Sequence, residues 1–371
     1  MSKIEVRNKD DWRCLLSFLP ENWEQMAADG GALLRLRGFH NVGNLLRVLL
    51  IHLIDGISLR QTAVIARQLE FADVSDVSLL KRLNASGEWF RMMAEYLMRA
   101  VIADEALTIL PEDYDIQLVD ATCISKPGSK GTDWRVHYSI GLPSLQCRDL
   151  LVTDESVGET LRNFKSGPKQ VFIGDRGYSH KPGIAHVVKG GGHVIIRMNS
   201  QTLPLMRRGK RFELLTHLKR LGMGVVREWE VEFKHDDQRI GGRVCAVKKS
   251  RIAADEARQT IIRSACNRQS YPRCDTLAYA GYIFVFTTLE STAIAATKVL
   301  ELYRGRWQIE LAFKRLKSLL ELGALPKKDP PGAKAWIYGK LFAALMIETL
   351  IRHAESFSPW GYRIGEEAQN A

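Results

Sequence analysis

The sequence predicts an α/β chain, and three observations carry that prediction. Residues 1–105 place apolar residues at helical spacing. The middle of the chain holds short apolar runs of strand length, two of which end at an aspartate, Asp120 and Asp175. A long alternating, basic stretch follows, and helical spacing returns near residue 290. The chain divides accordingly into a helical part (1–105), an α/β core in two pieces (106–199 and 290–371), and a β-rich insertion (200–289) between them.

At 371 residues and 46% hydrophobic content the chain can bury a large core and hold two or three subdomains. Its formal net charge is +11, a balance that suits a polyanionic partner such as nucleic acid. Six cysteines contain no C-x-x-C pair, which excludes a disulfide framework or zinc ribbon and points to a reducing cytoplasm. His180, His186 and His193 form a loose cluster whose spacing suits no standard zinc motif. The polar start MSKIEVRNKDDWR is no secretory signal. Leu45–Ile54 is apolar but too short for a bilayer and carries Arg47 and His52, so it reads as a core helix and no membrane is expected.

In the N-terminal part, Asn44–Ile54 is one apolar-periodic segment stopped by Gly56. Ser58 reads as the cap of the next helix, with Gln61 as its capping-box partner. A turn near Ala72–Ser75 leads to VSLLKRL and then GEWFRMMAEYLMRAVI. Short helices with small connectors resemble a helix-turn-helix bundle, in which Lys81 and Arg82 would face DNA phosphates. A plain helical bundle with solvated charges has the same pattern.

Tyr114–Val119 reads as a short strand ending at Asp120, and Trp134–Leu142 and Cys147–Ser156 as two more, an antiparallel meander. GETLRNF (Gly158–Phe164) reads as a helix. Gln170–Gly174 is a strand ending at Asp175, followed by a helical segment and the strand His193–Asn199. A meander followed by strand–helix–strand is the order of a ribonuclease H-like fold. Asp115 lies at the wrong end of its strand and Asp149 begins its apolar run, so both are weaker candidates than Asp120 and Asp175. Taken singly, a strand-ending aspartate is commonly a turn or cap residue.

The insertion contains the alternating runs Val225–Phe233, Gly242–Lys249 and Leu277–Thr288. Between Leu205 and Asp275 there are 17 Lys and Arg against 9 Asp and Glu, a net of +8 and most of the chain's excess. Its densest cluster, with Arg207 and Arg208, is a candidate phosphate surface. A solvated hairpin tip would look the same. Tyr282, Phe284 and Phe286 alternate on one strand face, as an inward-facing sheet core would require.

Leu302–Leu320 (LYRGRWQIELAFKRLKSLL) reads as one amphipathic helix. At about 100° per residue, Tyr303, Arg306, Glu310 and Lys317 share an arc of roughly 60°. A solvated face with an Arg306–Glu310 pair is the simple reading. A basic, Pro-rich loop and a long amphipathic helix over Ala333–Ser356, expected to cover the sheet, complete the pattern.

The spacing Tyr-x2-Arg-x3-Glu-x6-Lys, with the two upstream aspartates and GDRGY around Asp175, resembles DDE transposases of bacterial insertion sequences, in the insertion sequence 4 group. The resemblance implies that Asp120, Asp175 and Glu310 are the catalytic carboxylates and ligate two Mg²⁺ ions, with Mn²⁺ as a substitute. It implies that Tyr303, Arg306 and Lys317 bind the transposon end, and that residues 1–105 bind the terminal inverted repeats. An aromatic on the Tyr282 strand would stack on a flipped base. The expected partners are element-end and target DNA, and the expected state is a homodimer pairing two ends. The expected reaction is metal-dependent cleavage at the ends and strand transfer into target DNA, which is cut-and-paste transposition. A catalytically inactive DNA-binding regulator and a nuclease that cuts without joining are the rival readings.

Overall fold

The computed structural model describes residues 12–33, 35–102, 114–126, 128–129, 131–142, 146–199, 201–310, 314, 325 and 329–356. The N-terminal helices are α1 (Trp23–Asp29), α2 (Val42–Asp55), α3 (Leu59–Gln68), α4 (Asp76–Ala85) and α5 (Gly87–Ile102). α2 stops at Gly56, whose φ of 67° is the left-handed cap that glycine adopts without strain. The capping box at α3 forms as its sequence requires: Ser58 Oγ accepts from Gln61 N at 3.2 Å, and Gln61 Oε1 accepts from Ser58 N at 3.1 Å.

The centre of the molecule is a ten-stranded mixed sheet in the order β3-β2-β1-β4-β5-β10-β9-β8-β6-β7. β1 (Asp115–Ile124), β2 (Trp134–Leu142) and β3 (Cys147–Asp154) form the antiparallel meander. β4 (Gln170–Gly174) and β5 (His193–Arg197) flank helix α6 (Lys181–Lys189), and β4 runs parallel to both β1 and β5. Gly158–Phe164 yields only a short 3₁₀ turn, Leu161–Asn163, rather than the helix its composition suggested. β1 does not stop at Asp120; it pairs with β2 as far as Ile124, opposite Trp134.

The strands between residues 206 and 287 extend this same sheet. β6 (Met206–Arg207) and β7 (Lys210–Arg211) make a tight hairpin, and α7 (Leu214–Leu218) leads to β8 (Val226–His235) and β9 (Gln238–Lys248). Arg208 and Gly209 both carry positive φ, 51° and 74°, the two-residue turn that matches strand twist. Helices α8 (Arg251–Asn267) and α9 (Cys274–Tyr279) lead to β10 (Tyr282–Thr287), which runs antiparallel to both β9 and β5. The strand is shorter than the run Leu277–Thr288 suggested, because Leu277–Tyr279 belong to α9.

α10 (Ala296–Arg304) and the long α11 (Pro330–Ser356) close the described chain. α11 packs chiefly on α5, α4 and α2 and only in part on the sheet, through β3. Phe342 stacks on Phe90 at 5.9 Å, and Gly339 permits the close approach: a Cβ there would lie 2.4 Å from Leu53 Cδ1. One core cluster therefore runs from the N-terminal helices through α11 to one sheet face, including Leu118, Ile173 and Tyr303. A second lies on the opposite face, around Phe172, Tyr178 and Phe286. All six cysteines are free. Among the described residues no helix is long and apolar enough to cross a membrane.

Candidate active site

Strand alternation puts Asp120 on the same face as Leu118, and Asp175 follows Ile173 in the same way. Leu118 pairs with Ile173 in the parallel β1–β4 register. Two residues further along, that register brings Asp120 beside Asp175. β4 ends at Gly174 while β1 continues, which opens the sheet at this point. Asp175 Oδ1 accepts from Gly177 N at 2.7 Å and caps the turn Arg176–Tyr178. The cap reading of a strand-ending aspartate thus holds for Asp175 and coexists with its place in the pair.

Burial is the main cause that pushes the Asp120 carboxyl up to about 6. Its bond from Ala121 N opposes this, the Asp175 and Glu159 charges add to it, and the Arg306 charge opposes it. Glu159 is the residue that sequence reasoning missed. A Cβ on Gly177 would lie 2.5 Å from Glu159 Oε2 and 3.0 Å from Asp175 Oδ1, so those two oxygens are no more than 5.5 Å apart, the total of the two distances. The loop carrying Glu159 is pinned by Arg135, which donates to Val157 O, and by Asn163, whose Nδ2 donates to Gly158 O at 3.0 Å. Nothing in the spacing of GETLRNF signals this, because the contact is made with the turn that follows β4. The fully buried Tyr178 ring stands in the field of Asp120, Glu159 and Asp175, and its hydroxyl has no partner among the described residues.

The Leu302–Leu320 segment is not one helix. α10 ends at Arg304, Gly305 and Arg306 form a turn, and helix resumes at Trp307. Glycine at Gly305 is the weak point in the helical pattern. Tyr303 is therefore held in the core by α10, while Glu310 belongs to the next helical segment. Arg306 donates to Glu310. Burial opposes the Arg306 charge, but Glu310, Tyr303 and Asp120 together hold its pKa above the usual value. Asp120 and Asp175 thus lie in each other's field, and Arg306, which donates to Glu310, acts on Asp120. Glu310 itself is 57% exposed and turned to Arg306. Among the described residues no three of His, Cys, Asp and Glu stand close enough to hold one ion.

Lys317 lies outside the described residues. One expected DNA contact needs correction. Tyr282 is 9% exposed and packs in the second core with Phe284 and Phe286, so its ring is unavailable for base stacking. Arg82 donates to the carbonyls of Ala32 and Arg35 and ties α4 to the loop that follows α1. Lys81 is exposed, and Arg207 and Arg208 lie at the β6–β7 hairpin, with Arg208 at its solvated tip. Asp115 sits at the far end of β1, near Arg148 and Gln117.

Residues 111–346 match the transposase DDE domain family. The chain is 34% identical over 359 residues to the InsL chain of insertion sequence element IS186A from Escherichia coli K12, covering 94% of this chain and 96% of that one. It is 34% identical over 360 residues, with the same coverage, to the transposase for insertion sequence element IS421 from Escherichia coli. Among solved structures, a piggyBac transposase synaptic complex with hairpin DNA superposes with a TM-score of 0.50 and 9% identity, over 93% of this chain and 75% of that one, a likeness of fold. These names fit the insertion sequence 4 resemblance. A parallel strand pair that sets two aspartates side by side, inside a family match spanning most of the sequence, leads to one assignment: the chain belongs to the DDE transposases.

Proposed function

We propose that this transposase cuts and joins DNA through Asp120, Asp175 and Glu310, with two Mg²⁺ ions as its cofactor. The reading extends to a ribonuclease H-like core, to terminal inverted repeats as the DNA recognised, and to a homodimer assembled on DNA. The observation that supports it is Asp120 in the field of Asp175, with Arg306 acting on Asp120 and donating to Glu310. The donor set fits a hard cation, because every candidate ligand is a carboxylate oxygen and the two aspartates repel each other across the sheet. Divalent ions held there would supply charge neutralisation at phosphorus and activate the attacking hydroxyl.

The chain's own residues divide the remaining work. Asp120 and Asp175 are fixed by the sheet and by the Gly177 bond. Arg306 is shared between Glu310 and Asp120. A DNA phosphate competes for that guanidinium, frees Glu310 and lets it turn toward the aspartates. Lys81 and the Arg207–Arg208 hairpin extend the phosphate-binding surface, and Lys317 is retained as an end-binding residue on sequence grounds. A supercoiled donor plasmid with the element's own ends, incubated with the protein and Mg²⁺, tests the reading. Excision and joined target products are expected. Glu310→Gln should bind the ends and cut nothing; full cleavage by that variant overturns the assignment. Binding without any cutting by the wild-type chain would favour the regulator reading.

A further inference from the structure

An acid outside the family signature stands at the catalytic edge. Glu159 lies in the loop between β3 and β4, and hydrogen bonds fix that loop. Arg135 on β2 donates to Val157 O, Asn163 Nδ2 donates to Gly158 O at 3.0 Å, and Thr160 Oγ1 accepts from Arg162 N at 3.3 Å. The loop holds the Glu159 carboxylate against the turn after β4. A Cβ on Gly177 would lie 2.5 Å from Glu159 Oε2 and 3.0 Å from Asp175 Oδ1. Gly177 carries no positive φ, so its backbone does not call for glycine. The absent side chain leaves a cradle with two carboxylate oxygens on its rim.

Neither acid of this pair is neutralised from within. Among the described residues no Lys, Arg or His reaches Glu159 or Asp175 at ion-pair distance, and Arg135 acts on Glu159 as a more distant charge. Glu159 lies in the field of Asp175 and itself acts on Asp120. Like charges so placed cost free energy that a cation between them recovers. An independent observation points to a ligand as well. The Tyr178 side chain is fully buried, its hydroxyl has no hydrogen-bond partner among the described residues, and it stands in the field of Asp120, Glu159 and Asp175. A buried donor without an acceptor is costly, and the water oxygens of a hydrated ion held by these acids would satisfy it.

We infer that Glu159 is a fourth acid of the catalytic centre: with Asp175 it holds a divalent ion at the Gly177 cradle, beside the Tyr178 hydroxyl. The inference rests on the proposed function above and gives its cofactor a ligand that the Tyr-Arg-Glu-Lys signature does not contain. Mg²⁺ commonly takes one or two carboxylates and fills its other positions with waters and phosphate oxygens. Two acids therefore suffice before DNA arrives, and no ready-made cluster of three is required. Glu310 can stay with Arg306 until DNA is bound.

The test measures Mn²⁺ binding by calorimetry at pH 7 on the full chain, stripped with EDTA and without DNA. Glu159→Gln should weaken Mn²⁺ affinity by about tenfold or more, and the charge-keeping Glu159→Asp by less. The melting temperature of Glu159→Gln in EDTA should stay at or above that of wild type, because one of two like charges has gone. Gly177→Ala, which fills the cradle, should weaken the affinity with Glu159 still present. Affinity within about twofold of wild type in Glu159→Gln overturns the inference, as does a wild-type chain that binds no Mn²⁺. Should Glu159→Gln not fold, the wild-type chain loaded with Fe²⁺ and treated with ascorbate and peroxide decides. Backbone cleavage is expected at residues 157–160 as well as 175–178, and its absence at 157–160 overturns the inference. A chain that loses Mn²⁺ on Glu159→Gln but never cuts DNA in Mg²⁺ supports the seat while overturning the catalytic reading. A chain that cuts, yet keeps its Mn²⁺ affinity in Glu159→Gln, does the reverse.

Discussion

Arg306 stands between two carboxylates: it donates to Glu310 on its own segment and lies in the field of Asp120 on β1. The guanidinium therefore occupies, in charge if not in position, the role that a cation shared by the acids would play.

Asp120 loses its proton near pH 6 rather than near 4. A proton on that carboxylate competes with a divalent ion. We predict that Mn²⁺ affinity, measured by calorimetry on the wild-type chain, is steady above pH 7 and falls as pH drops through 6. Constant affinity between pH 7 and 5 would contradict the placement of Asp120 in the ion site.

A second prediction follows from the same pair. A raised carboxylate pKa means stability that is full below about 4 and lost as pH rises through about 6. Asp175→Asn keeps an oxygen for the Gly177 N–H yet removes one source of repulsion. In EDTA at pH 7 the variant should melt slightly higher than wild type, by up to about 1 kcal/mol in stability, while DNA cleavage is abolished. A lower melting point would show that the cap matters more than the repulsion.

His137 gives the opposite sign. It is fully buried on β2, bonded to Thr153 at 2.9 Å, and burial together with Arg135 lowers its pKa to about 4. Its contribution to stability is complete above about 6.5 and is lost as pH falls through 4, because only the unfolded chain takes up the proton readily. His137→Gln should reduce the drop in urea midpoint between pH 7 and 4.5. The expected difference is on the order of 1–3 kcal/mol, and parallel pH profiles for the two proteins would refute it.

The corrected position of Tyr282 makes a fourth prediction. Its ring belongs to the core against β9, where it sits opposite Lys248. Tyr282→Leu should cost about 1–2 kcal/mol by denaturant unfolding and leave end-DNA affinity within about twofold. A large affinity loss at unchanged stability would return Tyr282 to the DNA surface.

The sheet and its acids were legible because strand length and alternation are local properties. The apolar runs that lead to Asp120 and Asp175 could be read from strand length, but choosing those two aspartates needed the Tyr303–Lys317 signature as well; Ser58 with Gln61 came from a four-residue pattern. The break at Gly305 was hidden because the apolar periodicity of Leu302–Leu320 continues across it, and one glycine weighs little against that period. Glu159 was hidden for another reason: it sits in the loop between β3 and β4, while its neighbours Gly177 and Asp175 lie in the turn after β4, and only the fold brings them close. The bonds of Arg82 were hidden because carbonyl acceptors from a loop some fifty residues earlier cannot be seen in a helix pattern.

The helix α11 supplies Trp336, Phe342 and their neighbours to the core that α2, α4 and α5 share. On the ribosome those earlier helices emerge long before residue 330. Until α11 follows, the part of their apolar surface that it covers is open, so the N-terminal region completes its packing only once α11 has been made. A nascent chain stalled ahead of α11 would accordingly be prone to aggregation.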